Sequence, residues 1–263
     1  MLLNRFTIGS DPELFIFNTK TKKVVSAIDL IPGAKGTPYT EGLPEGFGLQ
    51  TDNILAEFNI PPTSSKYEFI SHIEYMKDYI RGFVKNINSD LDILCQASAK
   101  VPAKELKHPQ AKEFGCMPDY SIYHEGPNVV SSAKRTTLRS CGCHIHVGYE
   151  NPNIDTSLEM LRYIDAYVGI PSILYDTDTE RRKLYGKAGC FRLTSYGFEY
   201  RTLSSYWITE AKTMEFIWDQ LERALSAFIF DRNLPEREIV QSIIDNNDTE
   251  LAKKVISHYG LLG

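Results

Sequence analysis

Long apolar runs are absent from this chain. No stretch approaches the ~20 residues that a bilayer-crossing helix needs, and the amino-terminal stretch has no extended apolar core of the secretory kind. Membrane insertion and secretion are therefore not expected, and a cytoplasmic setting is. An excess of positive charge is missing too: 29 Lys+Arg stand against 34 Asp+Glu, for a formal net charge of −5. A surface that coats nucleic-acid phosphates is normally basic, so a nucleic-acid partner is not expected. Five cysteines, an odd number, give no disulfide framework and suit a reducing compartment. There is no internal repeat and no regular alternation of strand and helix. What is present is 263 residues with 42% hydrophobic content, enough for one sizeable core. A single catalytic domain over 1–263 is the expectation.

Strand-like alternation runs over residues 6–17, 24–28 and 55–60, with a turn at 20–23 that makes the first two a hairpin. Residues 32–48 are dense in glycine and proline and read as a loop near the site. From 67 to 87 apolar residues recur at helical spacing, with charged residues on the other side. A short strand follows at 91–96, then a long irregular stretch to about 139. Further helices are predicted over 158–170, 210–230, 235–244 and 249–258 from capping residues and prolines. The order predicts an α+β fold with a mixed or antiparallel sheet and helices packed on one face.

Four polar pairs at two-residue spacing fall inside strand-like runs: Asp11 with Glu13, Glu57 with Asn59, His144 with His146, and Glu199 with Arg201. Strand side chains alternate faces, so each pair points one way. Adjacent carboxylates repel unless a cation sits between them, which suits Mg²⁺. Asp11 could equally cap the turn before Pro12, Glu57 could face solvent, and Asp52 caps the approach or adds an oxygen. Cys141, Cys143, His144 and His146 first suggest zinc. Alternation instead puts Cys141, Cys143, Ile145 and Val147 in a buried layer, with His144 and His146 opposite, between Gly142 and Gly148. Residues 181–192 concentrate cations, including Arg182, Lys187 and Arg192, as a solvated run or as phosphate ligands. Glu199 and Arg201 read as a cross-strand salt bridge or as site residues.

Together, Gly9-Ser10-Asp11-Pro12-Glu13, Ala56-Glu57-Phe58-Asn59, Gly115-Cys116-Met117-Pro118-Asp119-Tyr120, Cys143-His144-Ile145-His146-Val147-Gly148 and Glu199-Tyr200-Arg201 resemble the phage carboxylate-amine (COOH.NH2) ligase type 2 family. That family is similar in fold and site to glutamine synthetase and glutamate-cysteine ligase. The resemblance implies that Asp11, Glu13, Glu57, His146 and Glu199 bind metal. It also implies that His144 and His146 lie near nucleotide phosphate, with Arg182, Lys187 and Arg192 as further anion binders. Arg201 would meet the transferred phosphoryl group, so that Arg201, Glu57 and Glu199 form the catalytic set. Asp11 departs from the pattern, since the larger enzymes carry Glu there.

The implied activity is ATP- and Mg²⁺- (or Mn²⁺-) dependent amide formation through an acyl phosphate, from a small-molecule or peptide carboxylate and an amine donor. Homo-oligomerisation is left open. Two other classes fit the same residues: a metal-dependent hydrolase of amides or phosphate esters, and a non-catalytic nucleotide-binding phage protein.

Overall fold

A computed structural model describes residues 5–112, 120–128 and 136–262. The motif residues Gly115 to Asp119 lie outside the described residues. The strands are β1 (Phe6–Ser10), β2 (Glu13–Asn18), β3 (Lys23–Val25), β4 (Gly48–Asp52), β5 (Leu55–Asn59), β6 (Leu91–Leu94), β7 (Ser98–Lys100), β8 (Tyr120–Ser121), β9 (Leu138–Ser140), β10 (Ile145–Tyr149), β11 (Cys190–Thr194) and β12 (Gly197–Tyr200). The helices are α1 (Lys66–Ile87), α2 (Ile154–Ile164), α3 (Ile170–Ser172), α4 (Thr179–Arg182), α5 (Ala211–Ile229), α6 (Arg237–Asn246) and α7 (Thr249–Tyr259). One sheet runs β1-β10-β12-β11-β8 and a second β3-β2-β5-β4, with β6 also on β2. All of these strand pairings are antiparallel, which settles the mixed-or-antiparallel alternative.

The run 6–17, expected as one strand, is interrupted at Asp11-Pro12. Proline has no N–H to give to a ladder, and the interruption lets the chain pass from one sheet into the other. On one side Ser10 O accepts from Ile60 N (3.2 Å) and Pro12 O from Phe58 N (3.1 Å), while Glu13 N donates to Gly142 O (2.9 Å). Both sheets thus share one continuous segment, and Asp11 sits at the joint.

Ile8, Leu14, Ile16, Ala56, Phe58, Ile145, Val147, Phe198 and Tyr200 are fully buried on the core side. Against them pack Ile73, Met76 and Ile80 of α1, Met160, Leu161 and Ile164 of α2, and Ile217, Trp218 and Leu221 of α5. Helices on one face leave the other face of the sheet for polar groups. α2 begins earlier than the sequence suggests because Asn153 is its cap, accepting from Thr156 N (2.9 Å). Nor does the helix stop short of Pro171: a π-turn at Asp165–Gly169 carries it on into α3.

Phe69 anchors α1 to this core, its ring stacked on Trp207 (centroids 5.9 Å, 2°) and tilted against Trp218 (5.1 Å). Phe69→Ala should cost about 3–5 kcal/mol of unfolding free energy. Urea titration checks this, and a loss below about 1 kcal/mol would show that α1 does not depend on the aromatic stack.

Candidate active site

Register builds the first half of the site. Gly9 of β1 faces His146 of β10, His146 faces Glu199 of β12, and Glu199 faces Arg192 of β11, so one row crosses four strands. Asp11 reaches this row from the joint. Its Oδ1 is 3.0 Å from His144 Nδ1 and 3.3 Å from His146 Nε2. Glu199 Oε2 is 2.7 Å from Arg201 Nη1 and 3.4 Å from Arg192 Nη1. Arg201, 1% exposed, also brings Nη1 within 3.5 Å of His144 Nδ1 and Nη2 within 3.5 Å of Tyr185 Oη. His146 is backed by Tyr196, whose Oη lies 3.1 Å from Nδ1.

The second half comes from the other sheet. Glu13 and Glu57 are paired in the β2–β5 register. In the β4–β5 register Gln50 faces Glu57, and alternation puts Asp52, two residues further along β4, on that same side. Oxygens of Glu13, Asp52 and Glu57 all lie within 4.8 Å of one another, and all three residues are buried. Asp11, His144 and Glu199 form a second such group.

The donor atoms fit cations. Asp11 Oδ1, His144 Nε2 and His146 Nε2 are buried and have no aligned hydrogen-bond partner among the described residues, although the carboxylate and imidazoles are close. Asp11 Oδ1 and His146 Nε2, 3.3 Å apart and unaligned, suit a shared ion better than a hydrogen bond to each other, with His144 turning Nδ1 to Asp11 and Nε2 towards Gly142. Burial, together with the neighbouring Asp52, pushes the Glu13 carboxyl up to about 8, against the bond it accepts from Gly142 N (2.5 Å). Glu57 rises well above the usual range through burial and through Asp11 and Glu13 beside it. Burial acts the same way on Asp11, but His144 and His146 outweigh it and hold that carboxyl well below its ordinary value. The imidazoles part company. Burial and Arg201 lower His144, whereas at His146 the adjacent Asp11 overcomes burial and raises it.

Gly142 is required at its place: a Cβ there would lie 2.6 Å from His144 Nε2. Its neighbours depart from the expected alternation. β10 starts only at Ile145, so Cys141 and Cys143 do not share a layer. Cys143 joins the main core, while Cys141 packs with Phe15, Ile54 and Leu55 in a second cluster. Burial raises both thiols well above their ordinary value, and neither cysteine belongs to a metal-capable group among the described residues.

The structure brings Asp11, Glu13, Glu57, His144, His146, Arg192, Glu199 and Arg201 together. Arg182 and Lys187 are not among them. Arg182 is buried with its guanidinium on the carbonyls of Gly186 and Thr202, and its charge acts on the buried Asp165. Lys187 is exposed and lines a cavity of about 310 Å³ with His124, Tyr185 and Asp245. Asp52 enters more centrally than as a cap, and Lys35, absent from the expected set, places Nζ 2.8 Å from Asp52 Oδ2. The Asp52-Asn53 turn signal between two apolar runs was the clue to Asp52; Lys35 had none beyond the glycine-rich loop that carries it.

Fold and site thus define an α+β protein in which two antiparallel sheets, joined at Asp11-Pro12, bring together two metal-capable groups, imidazoles and a buried guanidinium. A family model, that of the phage phiEco32-like COOH.NH2 ligase-type 2, matches residues 124–224. This stretch contains His144, His146, Arg192, Glu199 and Arg201, while Asp11, Glu13, Asp52 and Glu57 precede it. Over this stretch the chain is similar to a carboxylate-amine ligase family, and that similarity supports ligase activity in general. No curated protein matches the chain.

With the Glu13 carboxyl raised from 4.5 to about 8 on folding, its stabilising contribution is complete below about pH 4.5 and is lost as pH rises through about 8. Asp11, shifted downward, changes its contribution only below about pH 4. In EDTA the melting temperature should therefore fall between pH 5 and pH 9, with a shallower fall in E13Q and recovery at pH 8 on adding Mn²⁺. Equal slopes in wild type and E13Q would contradict the assigned protonation.

Proposed function

We propose that this chain is an ATP-dependent carboxylate-amine ligase that joins a small-molecule or peptide carboxylate to an amine through an acyl phosphate. Its catalytic domain would then be of the glutamine synthetase and glutamate-cysteine ligase kind. The observation that carries the reading is the Arg201 guanidinium, buried against Glu199 and His144 beside two groups that call for cations. Glu13, Asp52 and Glu57 would hold one ion, and Asp11, His144, His146 and Glu199 another. Bound Mg²⁺ or Mn²⁺ supplies charge neutralisation for polyphosphate and Lewis acidity toward the transferred group.

The chain's own residues do the rest. Glu199 fixes the Arg201 fork beside His144, so that its positive charge would lie where phosphoryl oxygens gain negative charge. Arg192, 3.4 Å from the same carboxylate, extends that cationic rim. The 32–48 loop is laid along β4 by bonds between Tyr39 and Leu49 (2.7 and 3.0 Å) and shields the acid side of the face from water. Cys141 and Cys143 need not act as nucleophiles, since both are buried thiols. Among the described residues no helix is long and apolar enough to cross a membrane.

The imidazoles beside Asp11 are also compatible with metal-dependent hydrolysis. Incubation with ATP, Mg²⁺ and a panel of carboxylates and amines separates the readings. The ligase gives ADP and a joined product lighter by one water, whereas substrate cleavage that needs no ATP would establish the hydrolase. ATP binding without turnover across the panel would favour a non-catalytic nucleotide-binding protein.

Arg201→Lys keeps the charge but loses the planar fork. Once a turning-over substrate pair is found, R201K should fold, bind ATP and lose on the order of 10²-fold in ADP release, the scale of one preorganised contact to a developing oxyanion. Unchanged turnover in R201K and R201A, with only a lowered melting temperature, would make Arg201 a sheet salt bridge.

A further inference from the structure

Lys35 stands at the open side of the Glu13–Asp52–Glu57 group. The backbone that carries it is fixed independently of its side chain. Gly33 O accepts from Thr51 N (3.3 Å) and Thr51 Oγ1 (3.2 Å), and Ala34 and Thr37 close a turn with bonds of 3.2 and 2.8 Å. Gly33 has φ +82, and a Cβ there would lie 2.3 Å from Leu49 O, so the direction in which the turn leaves β4 is set. That turn delivers the Lys35 ammonium to 2.8 Å from Asp52 Oδ2, with side-chain exposures of 49% and 9%. The charge is felt beyond Asp52, since Lys35 also acts on Glu57, against the upward push of burial and of the surrounding acids.

A loop already held by four backbone and hydroxyl bonds does not need this ion pair as a staple. The acids do need positive charge. We propose that Lys35 is a built-in counter-cation of the Glu13–Asp52–Glu57 group, which a divalent ion displaces from Asp52 on loading, so that Lys35 sets the group's affinity for metal. The inference rests on the reading of that group as a cation site. An ammonium on Asp52 and a divalent ion held by the same group would lie a few ångströms apart, where two cations repel strongly in a partly buried setting. The lysine side chain is half exposed, so its ammonium has water to move into when a divalent ion loads. The carboxylates would then never face one another without a positive partner, whether metal is scarce or abundant.

The test is Mn²⁺ titration of the full chain without nucleotide, following free Mn²⁺ by electron paramagnetic resonance, for wild type, K35M, K35R and E57Q. Removing the competing charge should tighten Mn²⁺ binding in K35M by about three- to tenfold, while K35R stays near wild type and E57Q loses the site. Thermal melts of K35M, with K35Q as a second neutral variant, confirm folding. K35M and K35Q equal to wild type in Mn²⁺ affinity, or weaker, would overturn the role of Lys35 while leaving the cation site intact if E57Q still loses it. Mn²⁺ binding that E57Q leaves unchanged would instead remove the cation site itself, and the proposal with it.

Discussion

Like charge held at close range is the constraint on which this structure turns. Glu13, Asp52 and Glu57 present oxygens within 4.8 Å of each other, and two carboxylates about 4 Å apart repel by about 4 kcal/mol at the effective dielectric of a protein surface. Nothing in the hydrophobic core requires such a placement; each of the three could be solvated at less cost elsewhere. The fold nevertheless fixes them by backbone geometry: the β2–β5 register sets Glu13 against Glu57, and the β4–β5 register with strand alternation puts Asp52 on the same side. Protonation, an internal ammonium and a metal ion are the three ways to relieve that repulsion, and the first two are visible in the raised Glu13 and in Lys35.

The joint at Asp11-Pro12 links this group to the imidazole row. Because Pro12 cannot continue the ladder, the chain changes sheet there, and Asp11 lies between His144 and His146 on one side and Glu13 on the other. The same segment has Ile8, Leu14 and Ile16 fully buried under the helices. Core packing of α1, α2 and α5 therefore holds the site indirectly, by setting the position of the strands that carry it.

Much of this was legible in alternation alone. The strand pattern placed Glu13, Glu57, His146 and Glu199 on one side of their strands and the apolar residues between them on the other, and helical periodicity with caps located α1, α5, α6 and α7 closely. Alternation failed where the chain is not a strand. Residues 141–144 precede β10, so Cys141 left the layer of Cys143, while His144 reached Asp11 all the same. Charge density did not reveal that the Arg182 guanidinium lies on the carbonyls of Gly186 and Thr202, away from the acid groups. Lys35 was beyond the sequence, since its approach to Asp52 depends on Gly33 at positive φ and on a loop folded back along β4, a tertiary fact with no local period.

The most direct measurement of the account is the number of Mn²⁺ ions bound per chain, counted by electron paramagnetic resonance with and without ATP. If the two metal-capable groups serve the proposed nucleotide-dependent ligase, the chain binds two ions and holds Mn²⁺ more tightly when ATP is present. No bound ion, or bound ions whose affinity ATP leaves unchanged, would contradict it.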